Sequence, residues 1–473
     1  MGCCSSNMEF VPLPEPPRPV IRSTIKALTR KNSLYAVRLT SITEKYQIIR
    51  ALGSDSIGTL FHAREMLSGV IRTVREINKF TSTKGVEVFQ EYNILRELDH
   101  PNIIKIFEAF ETPKNFYIVF ENVTGGTLLE KSKKLGFEGE FSKYAHELFS
   151  ALNYMHKQGV IHCNLCPEYI VLSTDDDNAV LKIIGFTLAQ KISDKKPIEI
   201  NKIRIEFASP EVFNNEFTTK SDIWSAGVVL YNILTTRYPF PKGSIEMTID
   251  SISKCQVDYN NSGFASISLQ AKNLIKSILV LDPNQRPSCE QLLENPWFYE
   301  SKQTIPITYN LAKKISMFNI KTTIARCLLS YITSKLSTSK KDFTIINYFK
   351  SLDLNNDGKV SKDEILNVFS QVGLNVENEI DFIMENLDYD SSGFIDYTEL
   401  ILALTNWPQE LKQKNMVKVF TSNEGLISID YLKEIVSHIK ESEWAKFRQE
   451  TRAENELITI KNLKEYLKES INI

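Results

Sequence analysis

The sequence predicts an α+β chain of several domains, with a mixed domain in the middle and an all-α domain at the C-terminal end. Three observations carry this. The chain has 473 residues, too many for one hydrophobic core and enough for roughly two to four domains. In the middle, "LGSDSIGTL" (52–60) lies between two runs that read as strands, and "SDIWSAGVVLY" (221–231) reads as a core helix. Toward the end, "DLNNDGKVSKDE" (353–364) and "DYDSSGFIDYTE" (388–399) are acidic loops, each flanked by amphipathic helical patterns.

Composition sets the class. Charged residues are 24% and apolar ones 42%, as in ordinary packed domains. The net charge of −2 points to no partner by itself, and nucleic acid is not expected. Seven cysteines, an odd number without framework spacing, fit a reducing compartment. No apolar run reaches bilayer-spanning length and no signal peptide is visible, so membrane contact requires an anchor. Residues 1–43 supply one. "MGCCSS" places Gly2 and Ser6 in the N-myristoylation pattern, with Cys3 and Cys4 placed for palmitoylation. From Pro16 to Thr43 there are six basic residues (Arg18, Arg22, Lys26, Arg30, Lys31 and Arg38) and no acidic one. One acyl chain holds a protein only marginally, so a second chain or this basic arm completes attachment to an anionic surface. The expected location is the cytoplasmic face of a membrane.

Residues 44–298 carry an ordered series of landmarks. After "LGSDSIGTL" come "TVR" (73–75), Glu91 in "FQEYNILREL", and "YIVFENVTGGTL" (117–128) with Phe120 and Glu121. "VIHCNLCPEYIVL" (160–172), "LKIIGFTLA" (181–189), "ASPEV" (208–212), "SDIWSAGVVLY" and Arg286 in "DPNQRPS" follow. Over this whole stretch the chain resembles a protein kinase domain. The resemblance implies that Leu95, His162 and Phe186 stack between the lobes, that Glu211 pairs with Arg286, and that Asp222 and Trp224 brace the catalytic loop. It also implies nucleotide contacts at Gly53, Gly58, Arg75, Glu91 and Glu121, and ATP with Mg²⁺ as cofactors.

The residues that perform the family's chemistry differ. Phosphoryl transfer needs a carboxylate at the attacking hydroxyl, metal ions and a lysine on the phosphates. Asn164 stands where the catalytic Asp belongs, and an amide cannot take that proton. Cys166 replaces the loop lysine, and Arg75 the strand lysine. Tyr169 and Gly185 replace the two metal ligands, and neither offers the hard oxygen that Mg²⁺ prefers. Asp55 stands at the middle glycine of the phosphate loop and Thr73 crowds the adenine wall. The pair Cys163 and Cys166 forms a CxxC without a second pair, which reads as coincidence rather than a zinc or redox site. Glu168 keeps the position that receives basic substrates in the family. The segment 190–207 lacks the family's Gly-Thr pair.

In the junction (299–341), "YNLAKKISMFNIKTTIARCLLSYITSKL" (309–336) has apolar residues at helical spacing with scattered Lys and Arg. The domain 342–473 then presents its two acidic loops. Both fit the EF-hand pattern. The first offers Asp353, Asn355, Asp357, the Lys359 carbonyl, Ser361 and a bidentate Glu364, with Gly358 at the turn and Val360 at the pairing position. The second offers Asp388, Asp390, Ser392, the Phe394 carbonyl, Asp396 and Glu399, with Gly393 and Ile395. Two calcium sites are expected. Two further units are ligand-poor: 420–432 is one residue short before Ile427 and has Tyr431 where Glu is needed, and 451–462 begins with Thr451 and ends with Asn462.

Anchor, kinase domain, junction and four EF-hands together resemble the calcium-dependent protein kinases of plants and protists. That resemblance implies an autoinhibitory junction helix moved by calcium. The leading expectation is a membrane-anchored, calcium-responsive pseudokinase that binds a protein partner, with other, active kinases as candidates by analogy. A rival is an active or weakly active serine/threonine kinase drawing carboxylates from Asp55, Glu168 or Asp175–Asp177. A second rival is a calcium sensor adaptor with a passive kinase fold.

Overall fold

The computed structural model describes residues 37–54, 58–80, 85–133, 138–194, 196–240, 243–299, 305–336, 339–420, 425–436 and 439–472. Gly2, Cys3, Cys4, most of the basic arm and Asp55 lie outside the described residues.

The small lobe is a sheet of β1 (Val37–Arg38), β2 (Tyr46–Ser54), β3 (Thr59–Glu65), β4 (Ile71–Asn78), β5 (Ile106–Glu111) and β6 (Asn115–Phe120), with α1 (Gly85–Leu95) between β4 and β5 in the chain. The strand order is β1-β5-β6-β4-β3-β2; only β1 with β5 is parallel. Side chains alternate across a strand. β4 therefore sends Val74 into an apolar layer with Ile42, Tyr46, Ala63, Phe107, Phe110 and Val119 on one face, and Arg75 to the other, toward α1.

The large lobe holds α2 (Leu128–Ser132), α3 (Glu138–Lys157), β7 (Val160–Ile161), β8 (Ile170–Leu172), β9 (Leu181–Ile183), β10 (Gln190–Lys191), α4 (Thr219–Thr235), α5 (Ile245–Ser253), α6 (Ser262–Ser266), α7 (Leu269–Ile278) and α8 (Cys289–Leu293). α4 is buried on nearly all sides, as its continuous apolar sequence requires. Arg286 grips Glu211 through two bonds of 2.7 and 2.9 Å and lies over the Trp224 ring at 4.7 Å. A buried pair is tolerable when its donors and acceptors are this fully used.

The junction, whose apolar residues stand at helical spacing over 309–336, forms two helices, α9 (Tyr309–Met317) and α10 (Thr323–Leu336), separated by β11 (Asn319–Ile320). β11 pairs antiparallel with β14 (Ile471–Asn472) at the far end of the chain, and the Thr322 hydroxyl is bonded to the Tyr466 hydroxyl at 2.6 Å. A long-range backbone pairing overrides the local helical periodicity here. The remaining elements are α11 (Ser339–Leu352), α12 (Lys362–Gln371), α13 (Ile380–Leu387), α14 (Tyr397–Leu404), α15 (Trp407–Glu410), α16 (Gln413–Phe420), β12 (Leu426–Ser428), α17 (Ile429–Ile435), α18 (Glu441–Glu450), β13 (Leu457–Thr459) and α19 (Ile460–Ser470). One apolar core runs from α9 and α10 through both pairs of helix–loop–helix units and reaches Val180 of the large lobe. Among the described residues, no helix is long and apolar enough to cross a membrane.

α10 lies behind the small-lobe sheet, on the face opposite Arg75. Lys335 at its end reaches Glu65 at 2.6 Å and also Glu108. Lys45 pairs with Glu108 at 2.6 Å, and Arg72 donates to the Ser334 carbonyl at 2.6 Å. A cavity of about 1000 Å³ remains between this face, α10 and α14. Burial by itself would raise the Glu108 carboxyl, but Lys335, Lys45 and Arg38 outweigh it and hold the group well below its ordinary value of 4.5. A lowered folded pKa stabilises above the unfolded value and is lost as pH falls through the folded one, so the Glu108 contribution declines below the ordinary carboxylate range. Burial and Lys335 lower Lys45 to about 7, so its share of the contact weakens as pH rises past neutral. Replacing Lys335 by Met leaves two buried carboxylates short of a cation. It is expected to cost about 3 kcal/mol in urea unfolding and to speed amide exchange in α10; unchanged exchange there counts against the contact as the anchor.

Candidate functional site

In the cleft between the lobes, Arg75 Nη1 lies 2.8 Å from Glu91 Oε2, so the strand-to-α1 ion pair forms with a guanidinium in place of an ammonium. Gly58 is needed by the sheet itself: a Cβ there would stand 2.1 Å from the Glu76 carbonyl oxygen. Gly53 pairs with Leu60 beside a register shift in the β2–β3 ladder. Glu121 is turned from the cleft. Its carboxylate meets Lys182 at 2.8 Å and the Lys105 N–H at 2.8 Å, on the wall of the cavity behind the sheet.

The loop 160–169 keeps its internal ties. Asp222 accepts the N–H groups of His162 and Cys163 at 2.9 and 3.0 Å, which holds Cys163 at φ 65°, a conformation costly for a residue with a side chain. Burial lowers the His162 pKa, so the ring is neutral and Nε2–H donates to the Ile184 carbonyl at 3.0 Å. His162 packs edge-on to Phe186 at 5.0 Å, and Leu95, His162 and Phe186 are all buried. Burial pushes the Cys163 thiol up and the Cys166 thiol up to about 12. Neither is a ready thiolate for metal or redox chemistry.

Three replaced positions act on one another or on the segment above. Gly185 has φ +81° and sits against the Tyr169 ring: a Cβ on Gly185 would lie 2.5 Å from Cδ1 and 2.6 Å from Cγ of Tyr169. The phenol ring therefore fills the space into which a side chain at 185 would project, and a Mg²⁺ ion fits neither residue. Asn164 Oδ1 accepts the Arg204 N–H at 2.9 Å, and the Arg204 guanidinium lies 3.1 Å from Glu168. Arg204, which no local pattern marked, thus occupies the acidic group expected to receive a basic substrate.

The two acidic loops are built for a cation. In the first, Gly358 has φ +78°. Asp353 accepts the N–H groups of Asp357 and Gly358 at 3.0 and 2.9 Å, and Glu364 accepts those of Leu354, Asn355 and Ser361 at 2.8, 3.1 and 2.8 Å. Burial, then Asp357 and Glu364, push the Asp353 carboxyl up; converging carboxylates of this kind are relieved by a bound cation. The Lys359 carbonyl belongs to the same turn, and Val360 bridges Ile395 through bonds of 2.9 and 2.8 Å. In the second, oxygens of Asp388, Asp390 and Glu399 lie within 4.8 Å of one another. Ser392 and Gly393 donate N–H to Asp388 at 2.9 and 2.7 Å, and the Ser392 hydroxyl donates to the Phe394 carbonyl at 3.1 Å. Asp396 N–H donates to Glu399 at 2.8 Å. Hard oxygens in this array suit calcium.

The last loop closes on itself instead. Asn462 Nδ2 donates to the Thr451 carbonyl at 2.9 Å, joining the first and last positions that a metal would otherwise bridge. β12 and β13 pair Ile427 with Ile458, so this unit forms from its own contacts.

Both acidic loops touch the kinase-shaped body. Thr398, just after the Asp396 position, gives its N–H and hydroxyl to Asp99 at 2.9 and 2.8 Å. Lys350 of α11 meets Glu147 of α3 at 2.6 Å. Sequence patterns could not disclose these pairs, because each joins residues far apart in the chain.

The fit of Tyr169 to Gly185 has a direct test. Gly185→Asp forces a side chain into the ring at a positive φ and is expected to cost about 3 kcal/mol in urea unfolding. Adding Tyr169→Asn removes the collision, so the double variant is expected to be about 1–2 kcal/mol more stable than the sum of the single changes; strict additivity would exclude the contact.

Residues 46–298 match the protein kinase domain family and 342–405 the EF-hand domain pair. Calcium-dependent protein kinase 5 of Plasmodium berghei (strain Anka) is 28% identical over 398 residues, covering 82% of this chain and 71% of that protein. Calcium-dependent protein kinase 4 of Plasmodium falciparum (isolate 3D7) is 28% identical over 444 residues, covering 87% and 84%. The twitchin kinase region from C. elegans superposes with a TM-score of 0.52 at 26% identity, over 56% of this chain and 48% of that one. With a two-lobed kinase fold, an EF-hand region that implies calcium binding, and relatives aligned across both, the chain belongs to the calcium-dependent protein kinase family.

Proposed function

We propose that this protein is a calcium-responsive pseudokinase: a kinase fold that binds a protein partner under calcium control and does not transfer phosphate. The observation that carries the reading is the packing of the Tyr169 ring onto Gly185, in the place a metal-binding side chain would need. Asn164 supports it, since its amide oxygen is already bonded to Arg204 N–H and cannot serve as a base. Losing acid–base help alone typically slows a reaction by about 10²–10⁴, and the metal positions are changed as well.

Calcium would be held by Asp353, Asn355, Asp357, the Lys359 carbonyl, Ser361 and Glu364 in one loop, and by Asp388, Asp390, Ser392, the Phe394 carbonyl, Asp396 and Glu399 in the other. A cation held there would supply the positive charge that offsets the converging carboxylates of each loop. The chain's own residues carry the consequence: α11 and α14 hold Glu147 of the large lobe and Asp99 of the loop between α1 and β5, so a change in either loop is felt on the kinase surface. Lipidation at Gly2 with Cys3 or Cys4, aided by the basic arm, would place this surface on the cytoplasmic face of a membrane.

A second reading, an active calcium-dependent kinase, is favoured by the Arg75–Glu91 pair and by the edge-on packing of His162 on Phe186, which an active arrangement also uses. Incubation of the full-length protein with labelled ATP, Mg²⁺ and Ca²⁺ separates the two. No transfer above background is expected; transfer that Glu168→Ala abolishes would establish the second reading. Calorimetric titration is expected to show calcium uptake at micromolar levels, and its absence would remove the calcium mechanism. Gly2→Ala is expected to shift the protein from the membrane fraction to the soluble one, and an unchanged distribution would remove the anchor.

A further inference from the structure

The first acidic loop rests on α3 of the kinase-shaped body. Lys157 Nζ, at the end of α3, lies 3.3 Å from Asp357 Oδ2 and 3.3 Å from Glu290 Oε1. Asn153 Nδ2 donates to the Asn356 carbonyl at 3.0 Å. Gly358 is pressed against two rings: a Cβ there would meet His100 Cδ2 and Tyr154 Cδ2, each at 2.6 Å. So this glycine permits the turn within the loop and also the approach of the loop to the large lobe.

We propose that Lys157 sets the calcium affinity of the first loop from outside the EF-hand domain, and that calcium binding and docking of this loop oppose one another. The inference rests on the reading above that Asp353 to Glu364 hold calcium. Asp357 does not need Lys157 for its orientation. Its Oδ2 already receives Asn355 Nδ2 at 3.2 Å, its Oδ1 receives the Lys359 N–H at 3.1 Å, and its own N–H is fixed to Asp353 and Asn355. What Lys157 adds is charge. The loop brings three carboxylates at its ligand positions, Asp353, Asp357 and Glu364, and the ammonium offsets one of them while standing as a like charge beside a divalent ion. With its side chain 37% exposed, Lys157 acts through partly screened electrostatics. Glu290 shares the ammonium and so moderates its hold on Asp357. By linkage, whatever factor docking removes from calcium affinity, calcium removes from docking.

Calorimetric titration of the full-length protein with calcium chloride, at low and at physiological salt, tests this. Lys157→Gln is expected to tighten one class of site by about fivefold at low salt, with the gain shrinking as salt rises. Glu290→Gln, which leaves the ammonium to Asp357 alone, is expected to weaken the same class. In hydrogen exchange, calcium is expected to raise the rate over 138–157 in the unaltered protein and less so in Lys157→Gln. A purely structural lysine would move both variants in one direction and without salt dependence, and that result, or unchanged or weaker binding in Lys157→Gln, overturns the proposal. No calcium uptake by the unaltered protein would instead remove the reading beneath it; normal uptake with an indifferent Lys157→Gln removes this inference alone.

Discussion

Behind the six-stranded sheet, the Lys335 ammonium is enclosed with the carboxylates of Glu65 and Glu108, and Lys45 and Arg72 close the group from the sides. Charges this deeply buried must stay together, because separating them leaves uncompensated ions out of water. α10 is therefore held on the back of the small lobe. The same helix contributes Ile324, Leu328, Leu329 and Ile332 to the core shared by the helix–loop–helix units. This ionic group thereby ties the helix–loop–helix region to the back of the small lobe.

The cleft on the other face keeps a kinase's mechanical parts and changes its chemical ones. Arg75 still finds Glu91, Asp222 still holds the loop backbone, and Glu211 still grips Arg286. Tyr169 and Gly185, by contrast, form a mutual fit. The glycine has room only for hydrogen because the ring is there, and the ring packs there because the glycine has no Cβ. Such complementarity ties the two replacements into one structural feature. Restoring a side chain at 185 alone would collide with the ring, and removing the ring alone would leave its space unfilled.

Between these two faces lies α3, a helix of the large lobe that serves both. Its Tyr154 and Asn153 receive the first acidic loop and its Lys157 meets a carboxylate of that loop, while Glu147 holds Lys350 and His156 braces Asp222 at 2.9 Å. One rigid element thus touches the calcium side and the catalytic-loop side of the molecule. Coupling between sites needs a physical element that both bias, and α3 is placed to be one.

Local chemistry was enough to write much of this from the sequence. The two complete loops show their carboxylates and turn glycines at fixed offsets, and the kinase landmarks stand in order, because each is a short segment whose backbone demands particular residues. The replaced residues Asn164, Cys166, Tyr169 and Gly185 could likewise be named one by one. The tertiary structure decided what lay between segments: that Tyr169 fills the space beside Gly185, that Arg204 occupies Glu168, that the junction breaks at β11 to pair with the end of the chain, and that Lys335 and Lys157 reach carboxylates far from them in sequence. Periodicity and motif spacing report the conformation of a segment. They carry no record of which distant charge or ring will pack against it, since that is settled only when burial forces every charge and every Cβ to find its place.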